Sequence, residues 1–384
     1  MFRVALRMLT GDRIKYLGIV VGLMFASFLI TQQISIFIGL MSRTFAVITD
    51  ITTSDIWVMD PAVKNVDDSR PVSEQQLFRV KSVPGVAWAV PLFKGNIRAR
   101  LSDGTGFNCI VMGLDDQTLT AGPPVLFKNP DGSEVSMGAL RQPDAIIVDA
   151  PNAHEKLDDL QVGDVLDLND NRAKVVGLCD ITQGFQGQPL IYTTFSRATT
   201  WVPNERKQLT FILAKAKPGE DVEAVCQSIT AQTGLAAYTN SEFKAKTLWY
   251  YVKSTGIPIN FGTTVILGFV VGVAISGMLF YQFTMDNLRY FGTLKAMGAS
   301  NFLLVRMILL QSSLAGVLGF GLGVGATATF QVVMGHLMPK SQQVMLLLWQ
   351  TLAITGGAIV LIVVLSSFFA ILKVIRLEPA AVFK

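Results

Sequence analysis

Residues 254–285 read STGIPINFGTTVILGFVVGVAISGMLFYQFTM, thirty-two positions without an Asp, Glu, Lys or Arg. A helix needs about 20 apolar residues to cross a hydrocarbon core of about 30 Å, and a helix buried in a water-soluble protein rarely runs so long without charge. The stretch is therefore expected to span a membrane. Residues 16–42, 307–339 and 341–372 are equally free of charge and are expected to do the same. This clustering accounts for the composition, 51% hydrophobic and only 16% charged, where soluble domains carry about 25% charge.

Stretch 16–42 is too long for a signal-peptide core, and Ser42-Arg43-Thr44-Phe45-Ala46-Val47 is a poor cleavage site, so it reads as an uncleaved anchor. Basic residues gather on three flanks: Arg3, Arg7, Arg13 and Lys15 before the first stretch, Arg289, Lys295 and Arg306 after the second, and Lys373, Arg376 and Lys384 at the end. By the positive-inside rule those flanks, and both termini, face the cytoplasm. Residues 43–253 carry 21 Lys and Arg against 25 Asp and Glu, whereas the remainder carries 11 against 3. The basic balance thus belongs to the membrane flanks and gives no reason to expect nucleic-acid binding.

The organisation expected is a membrane protein of four transmembrane α-helices, with a large α+β extracytoplasmic domain inserted between helices 1 and 2. The segments are an amphipathic helix over 1–15, helix 1 over 16–42, the outer domain over 43–253 and helix 2 over 254–285. A cytoplasmic link (286–306), helix 3 (307–339), helix 4 (341–372) and a cytoplasmic tail (373–384) complete the chain. In the outer domain, strands are expected at 55–60, 86–91, 97–101, 107–112, 145–148, 165–168, 174–178 and 209–214 from alternating or β-branched runs. Short helices are expected after Ser73, over 154–160 and over 219–233. The stretches 121–138 and 183–207 read as loops.

Reactive chemistry is sparse. His154 and His336 are far apart and sit in no ligand spacing with Cys or Asp, so no metal site is expected. Asp167-x-Asn169-x-Asn171 resembles the start of a calcium loop but lacks its central Gly and final acid, and reads as a hairpin turn. Cys109, Cys179 and Cys226 lack C-x-x-C spacing and read as small buried side chains, with at most one internal disulfide. There is no G-x-x-x-x-G-K-[ST] and no G-x-S-x-G, which removes a phosphate-cradling loop and a nucleophile elbow. An enzyme is not expected.

In the apolar stretches, Gly268, Gly272 and Ser276 recur every four residues, as do Gly321 and Gly325. This spacing lets helix backbones approach closely in lipid, within one subunit or across a dimer. Gln32, Gln33, Gln311, Ser312 and Ser313 should face other helices or a wet seam. No ionisable group lies mid-span, which argues against proton- or sodium-coupled transport.

The link contains Asp286-Asn287-Leu288-Arg289-Tyr290-Phe291-Gly292-Thr293-Leu294-Lys295-Ala296-Met297-Gly298-Ala299-Ser300. Leu288, Phe291, Leu294 and Met297 recur every three residues as one helical face, Gly298 suits a C-cap, and Ser300-Asn301 can cap the next helix. A short helix is expected there, suited to receive force from a docked partner. The run Gly292 to Ser300 resembles the signature of the FtsX/MacB-type permease family of ABC transporters. Its front departs from the Glu-Arg-x-x-Glu pattern that members often have. Ala5-Leu6-Arg7-Met8-Leu9, Arg376-Leu377-Glu378-Pro379-Ala380 and the order of one span, outer domain and three spans are similar to the family as well.

That resemblance implies a stand-alone permease subunit of the DevC- or LolC-like kind in a bacterial inner (plasma) membrane. It would couple ATP hydrolysis by a separate ABC ATP-binding subunit to export or extraction of a lipid, lipoprotein or amphiphile, by mechanotransmission. The alternative is mechanical signalling to an extracytoplasmic enzyme such as a cell-wall hydrolase. ATP and Mg would be bound by the partner ATPase, with no cofactor on this chain. A second permease copy forming a homodimer, a membrane-fusion adaptor protein, an outer-membrane channel and the lipid membrane are the other implied partners. Coupling to the ATPase would involve Asp286, Arg289, Phe291, Gly292, Leu294, Lys295, Met297 and Gly298.

Overall fold

The structure is a computed structural model describing residues 7–8, 11–101, 104–128, 134–202 and 208–376. The chain forms two units, one of residues 1–39, 256–337 and 344–384 and the other of 40–255 and 338–343. Helices are numbered below in chain order.

The first unit is built from four helices long and apolar enough to cross a membrane: Arg13–Arg43 (α1), Ile257–Asp286 (α8), Asn301–Leu337 (α10) and Trp349–Ile375 (α11). Their mutual faces bury Ile19, Leu23, Ile30, Phe280, Ala315 and Ile362, while Ile266, Val270, Val317, Val360 and Phe369 lie exposed on the outside, as lipid contact requires. Close approach depends on small residues. A Cβ on Gly272 would lie 2.7 Å from Ala26 Cβ, and one on Gly323 would lie 2.5 Å from Ser27 Cβ.

Some polar side chains in the spans find partners inside the bundle, where water cannot serve them, whereas the buried hydroxyls of Ser35, Ser276 and Thr351 have none among the described residues. Ser27 Oγ donates to Phe320 O at 3.3 Å, and Thr31 Oγ1 donates to Ser27 O at 2.7 Å and lies 3.2 Å from Thr355 Oγ1. Of the polar residues expected to face other helices, Gln311 and Ser312 are buried and Gln32 and Gln33 half-buried, whereas Ser313 is exposed.

Helix 4 was expected over 341–372, yet α11 begins only at Trp349. Residues 344–348 instead run extended beside α1, where Leu346 N donates to Ser35 O at 3.1 Å. A Cβ on Gly39 would fall 1.5 Å from Val344 O, so only glycine admits the passing backbone.

The second unit is a ten-stranded sheet: Ile56–Met59 (β1), Val86–Arg100 (β2), Gly106–Leu114 (β3), Val125–Leu126 (β4), Ala145–Asp149 (β5), Val165–Leu168 (β6), Asn171–Asp180 (β7), Leu190–Thr194 (β8), Phe211–Ala216 (β9) and Ala236–Thr239 (β10). Their order is β10-β1-β9-β2-β3-β8-β5-β7-β4, with β6 beside β2 and β7. The two strands expected at 86–91 and 97–101 are one strand, β2, which changes partner at its middle. Leu92 faces Phe211 of β9, and Phe93 faces Gly113 of β3.

Helices Glu74–Lys81 (α3) and Val222–Thr233 (α6) cover one face of the first lobe through Leu77, Val80, Val225 and Ile229. On its other side Phe243 of Asn240–Ser254 (α7) meets Trp57 and Phe211 at ring distances of 5.5 and 5.9 Å. The second lobe packs helices Ala150–Lys156 (α4) and Phe195–Trp201 (α5) through Ala153, Ala198 and Trp201.

Several local expectations shift. The stretch 183–207 contains β8 and α5 rather than only loop, because Leu190–Thr194 pairs in parallel with β3. The helix expected over 154–160 starts earlier, at Ala150, with Asp149 capping Asn152 N. Loop 121–138 contributes the short strand β4 to the edge of the sheet. The expected hairpin turn holds Asn169 and Asp170 at φ of 50° and 62°, an Asn-Asp pair suited to that conformation. The expected 1–15 helix falls mainly outside the described residues, as does the Leu377 to Ala380 segment.

Candidate coupling site

Asn287 ends α8, its Nδ2 donating to Phe283 O at 2.8 Å, and the chain turns at once into helix Leu288–Ala296 (α9). Gly298, at φ +94°, stops it. Ala299 N donates to Leu294 O at 3.0 Å and Gly298 N to Lys295 O at 3.1 Å, the paired bonds of a Schellman stop. Ser300 Oγ then accepts from Leu303 N at 3.3 Å and opens α10.

The apolar face read from spacing divides. Phe291 and Gly292 are buried, and Phe291 packs with Leu304, Met307, Ile308 and Val374, with Leu294 half-buried beside them. Met297 points away from that core and is 75% exposed, and Tyr290 is 61% exposed. Arg289, Tyr290, Ala296 and Met297 are the open positions, spaced as one face of a helix. A period of three drifts around a helix of 3.6 residues per turn, so Met297 leaves the inner stripe that Phe291 begins.

Both ends of α9 are held. Asp286 pairs with Lys15 of α1, which also lies 3.0 Å from Asp12. Lys295 Nζ donates to Ile375 O, at the end of α11, at 2.9 Å. The Asp286 pair is solvent-exposed and adds little stability, so the buried Phe291 is the main anchor.

Among the expected packing positions, a Cβ on Gly268 would lie 3.5 Å from Leu29 Cβ, Gly272 faces Ala26, and Ser276 is fully buried. Gly321 and Gly325 meet nothing within 4 Å; the tight contacts of α10 with α1 are made by Gly319 and Gly323. The four-residue interval is the same in both pairs, and only the phase differs.

The outer unit holds polar groups that spacing did not reveal. Lys94 is a buried cation in β2 whose Nζ donates to Asp67 Oδ1 at 2.5 Å and Val66 O at 3.1 Å. Tyr251 of α7 donates to the other oxygen of Asp67 at 2.9 Å, and burial together with Asp67 raises its phenol above the ordinary value. The one signal was a lysine inside the apolar run Pro91-Leu92-Phe93-Lys94. Arg43 donates to Ser341 O and Gln343 O, each at 2.7 Å, and Ser341 Oγ bonds Glu155. Burial raises the Asp149 carboxyl even though Leu190 N, Asn152 and Gln183 all donate to it.

Among the described residues no group of three His, Cys, Asp or Glu could hold a metal ion. His154 bonds Asp159, and His336 Nδ1 lies 2.8 Å from Val332 O. The three cysteines are free and buried. Burial pushes the Cys109 and Cys226 thiols up to about 12, which leaves them unreactive.

Two family models match the chain: the MacB-like periplasmic core domain over residues 17–232 and the FtsX-like permease C-terminal region over 262–379. The chain belongs to the FtsX/MacB-like permease family. This permease is a multi-pass membrane protein of an ABC transporter family, with its MacB-like periplasmic core between the first and second spans and no nucleotide-binding motif of its own. It is 24% identical over 248 residues to an uncharacterised ABC transporter permease of Methanocaldococcus jannaschii, a match covering 61% of each chain. The extracellular domain of the noncanonic ABC-type transporter YknZ from Gram-positive bacteria matches 48% of the permease and 98% of its own chain, at 13% identity and a TM-score of 0.34. The periplasmic region of MacB from Actinobacillus actinomycetemcomitans matches 52% of the permease and 94% of its own chain, at 10% identity and a TM-score of 0.39.

Proposed function

We propose that the permease carries the nucleotide cycle of a separate ABC ATP-binding subunit to its outer unit, and so exports or extracts a lipid, lipoprotein or other amphiphile. One observation supports this above the rest: α9 buries Phe291 and Gly292 while Arg289, Tyr290 and Met297 stay open on the opposite side. A partner pressing on the open face would displace the packed face, which rests on Leu304, Ile308 and Val374. ATP and Mg belong to that partner. The open α9 face lies at the cytoplasmic side, with both termini, in an inner (plasma) membrane.

A second copy of the permease completes the assembly in this reading, as a homodimer, and an adaptor protein with an outer-membrane channel extends it where the cargo leaves the cell. An amphiphilic cargo suits spans that lack mid-membrane ionisable groups, since no proton relay can be drawn through them.

The test is a Tyr290→Asp, Met297→Asp double variant, which alters only exposed positions. ATPase capture on purification should fall at least about thirtyfold, as for loss of a contact worth about 2 kcal/mol, with the thermal midpoint unchanged. Wild-type ATPase association and transport in the double variant would reject the docking face. Normal ATPase binding without stimulation of hydrolysis by added lipid would favour the signalling role, in which the outer unit activates an extracytoplasmic enzyme.

A further inference from the structure

The loop before α3 and the middle of β2 enclose a cavity of about 330 Å³ in the outer unit, lined by Asp67, Ser69, Arg70, Lys94, Asn96 and Gln208 among others. It opens where β2 leaves β9 for β3. We propose that this cavity binds a phosphate group. The proposal does not depend on the coupling role of α9.

The argument rests on which hydrogen-bonding groups are already used. Among the described residues Asp67 is the only carboxylate in the lining, and both its oxygens are taken, one by Lys94 Nζ at 2.5 Å and the other by Tyr251 at 2.9 Å. Its charge is offset by the same lysine. The donors are not used up. Lys94, with a side chain only 4% exposed, gives two of its three N–H groups to Asp67 and Val66 O, and the third has no acceptor among the described residues. Arg70 makes one long contact, from Nε to Asp68 at 3.4 Å, and both its Nη groups have no acceptor among the described residues.

The side-chain amides of Asn96, also on β2, and of Gln208, on a third segment, add further donors. The cavity is thus a polar space with surplus donors, where the two cations Lys94 and Arg70 stand beside Asp67 and the neighbouring Asp68. A buried ammonium N–H left unmade carries a desolvation cost that a bound anion relieves. The Arg fork matches two oxygens of a phosphate at once. Donors arriving from three chain segments suit a tetrahedral anion with several acceptor oxygens better than a flat carboxylate with two. The volume exceeds that of the anion alone and leaves room for a short ester group, so a free phosphate and a phospholipid headgroup share this chemistry.

To test it, the full chain is purified in non-ionic detergent without phosphate. It is then titrated calorimetrically with inorganic phosphate, glycerol 3-phosphate and acetate at constant ionic strength. Saturable binding of either phosphate compound is expected, weakened at least about tenfold by Arg70→Gln. Arg70→Lys, which keeps the charge but loses the fork, should fall between the two. Arg70 is half-exposed, so its variants should keep the wild-type thermal midpoint, whereas a Lys94 variant would disturb the fold. Tighter binding of glycerol 3-phosphate assigns a headgroup-type ligand, and tighter binding of inorganic phosphate assigns the free anion. Absence of saturable binding of both, binding unchanged in Arg70→Gln, or acetate bound as tightly as phosphate overturns the proposal.

Discussion

Two short links join the last three spans, and they are built on opposite principles. The link between α8 and α10 is a helix that buries an aromatic ring, Phe291, against its own bundle. The link between α10 and α11 has almost no core. Its residues 338–343 belong to the outer unit, where Arg43 and Glu155 hold them by hydrogen bonds, and residues 344–348 lie extended beside Gly39. Packing of a ring resists tilting in every direction. A backbone held through two carbonyls and a hydroxyl is fixed at points and is free to give between them. The first link suits passing a push, the second suits marking a position.

The sharpest way to break this contrast is Gly39→Ala. Its new Cβ would occupy the space of Val344 O, and the strain should exceed the about 1–3 kcal/mol of ordinary overpacking. Proteolytic nicking within 338–348 should become rapid, while wild-type resistance would show that the extended path is not needed. Phe291→Ala should cost about 3–5 kcal/mol and raise hydrogen exchange across 288–296 at least about a hundredfold, without affecting 338–343. Arg43→Gln removes two bonds from a charged donor, worth about 1.5–3 kcal/mol each. It should loosen 338–343 in hydrogen exchange and leave α9 protected. Ser341→Ala removes only the bond to Glu155 and should be the mildest, about 1 kcal/mol. If Arg43→Gln also loosened α9, the two links would not be independent.

The difference between the links also explains what could be read from residues alone. α9 was legible because its signals are local: an apolar stripe, a Gly stop and a Ser cap within fifteen positions. The 338–348 segment was not, because lack of charge marks an apolar environment without stating a conformation, and Val344 to Leu348 are uncharged yet extended. What decides their path is Gly39, three hundred positions earlier. Glycine spacing shows the same limit, since the interval that singled out Gly321 and Gly325 is shared by Gly319 and Gly323. Phase depends on where α1 lies. β8 was missed because its partners, β3 and β5, are long-range, and the two-strand reading of β2 failed because Lys94-Gly95 looks like a turn until Thr210 bonds both backbone groups of Lys94. The Lys94, Asp67 and Tyr251 cluster draws on three distant segments and has no linear signature.

β2 runs unbroken for 15 residues through both lobes of the outer unit. Rotating one lobe against the other would require this shared rafter to bend or tear its ladder with β9 or β3. Movement begun at one end of the sheet is therefore delivered to the other along a single backbone, with no sliding surface on which to dissipate.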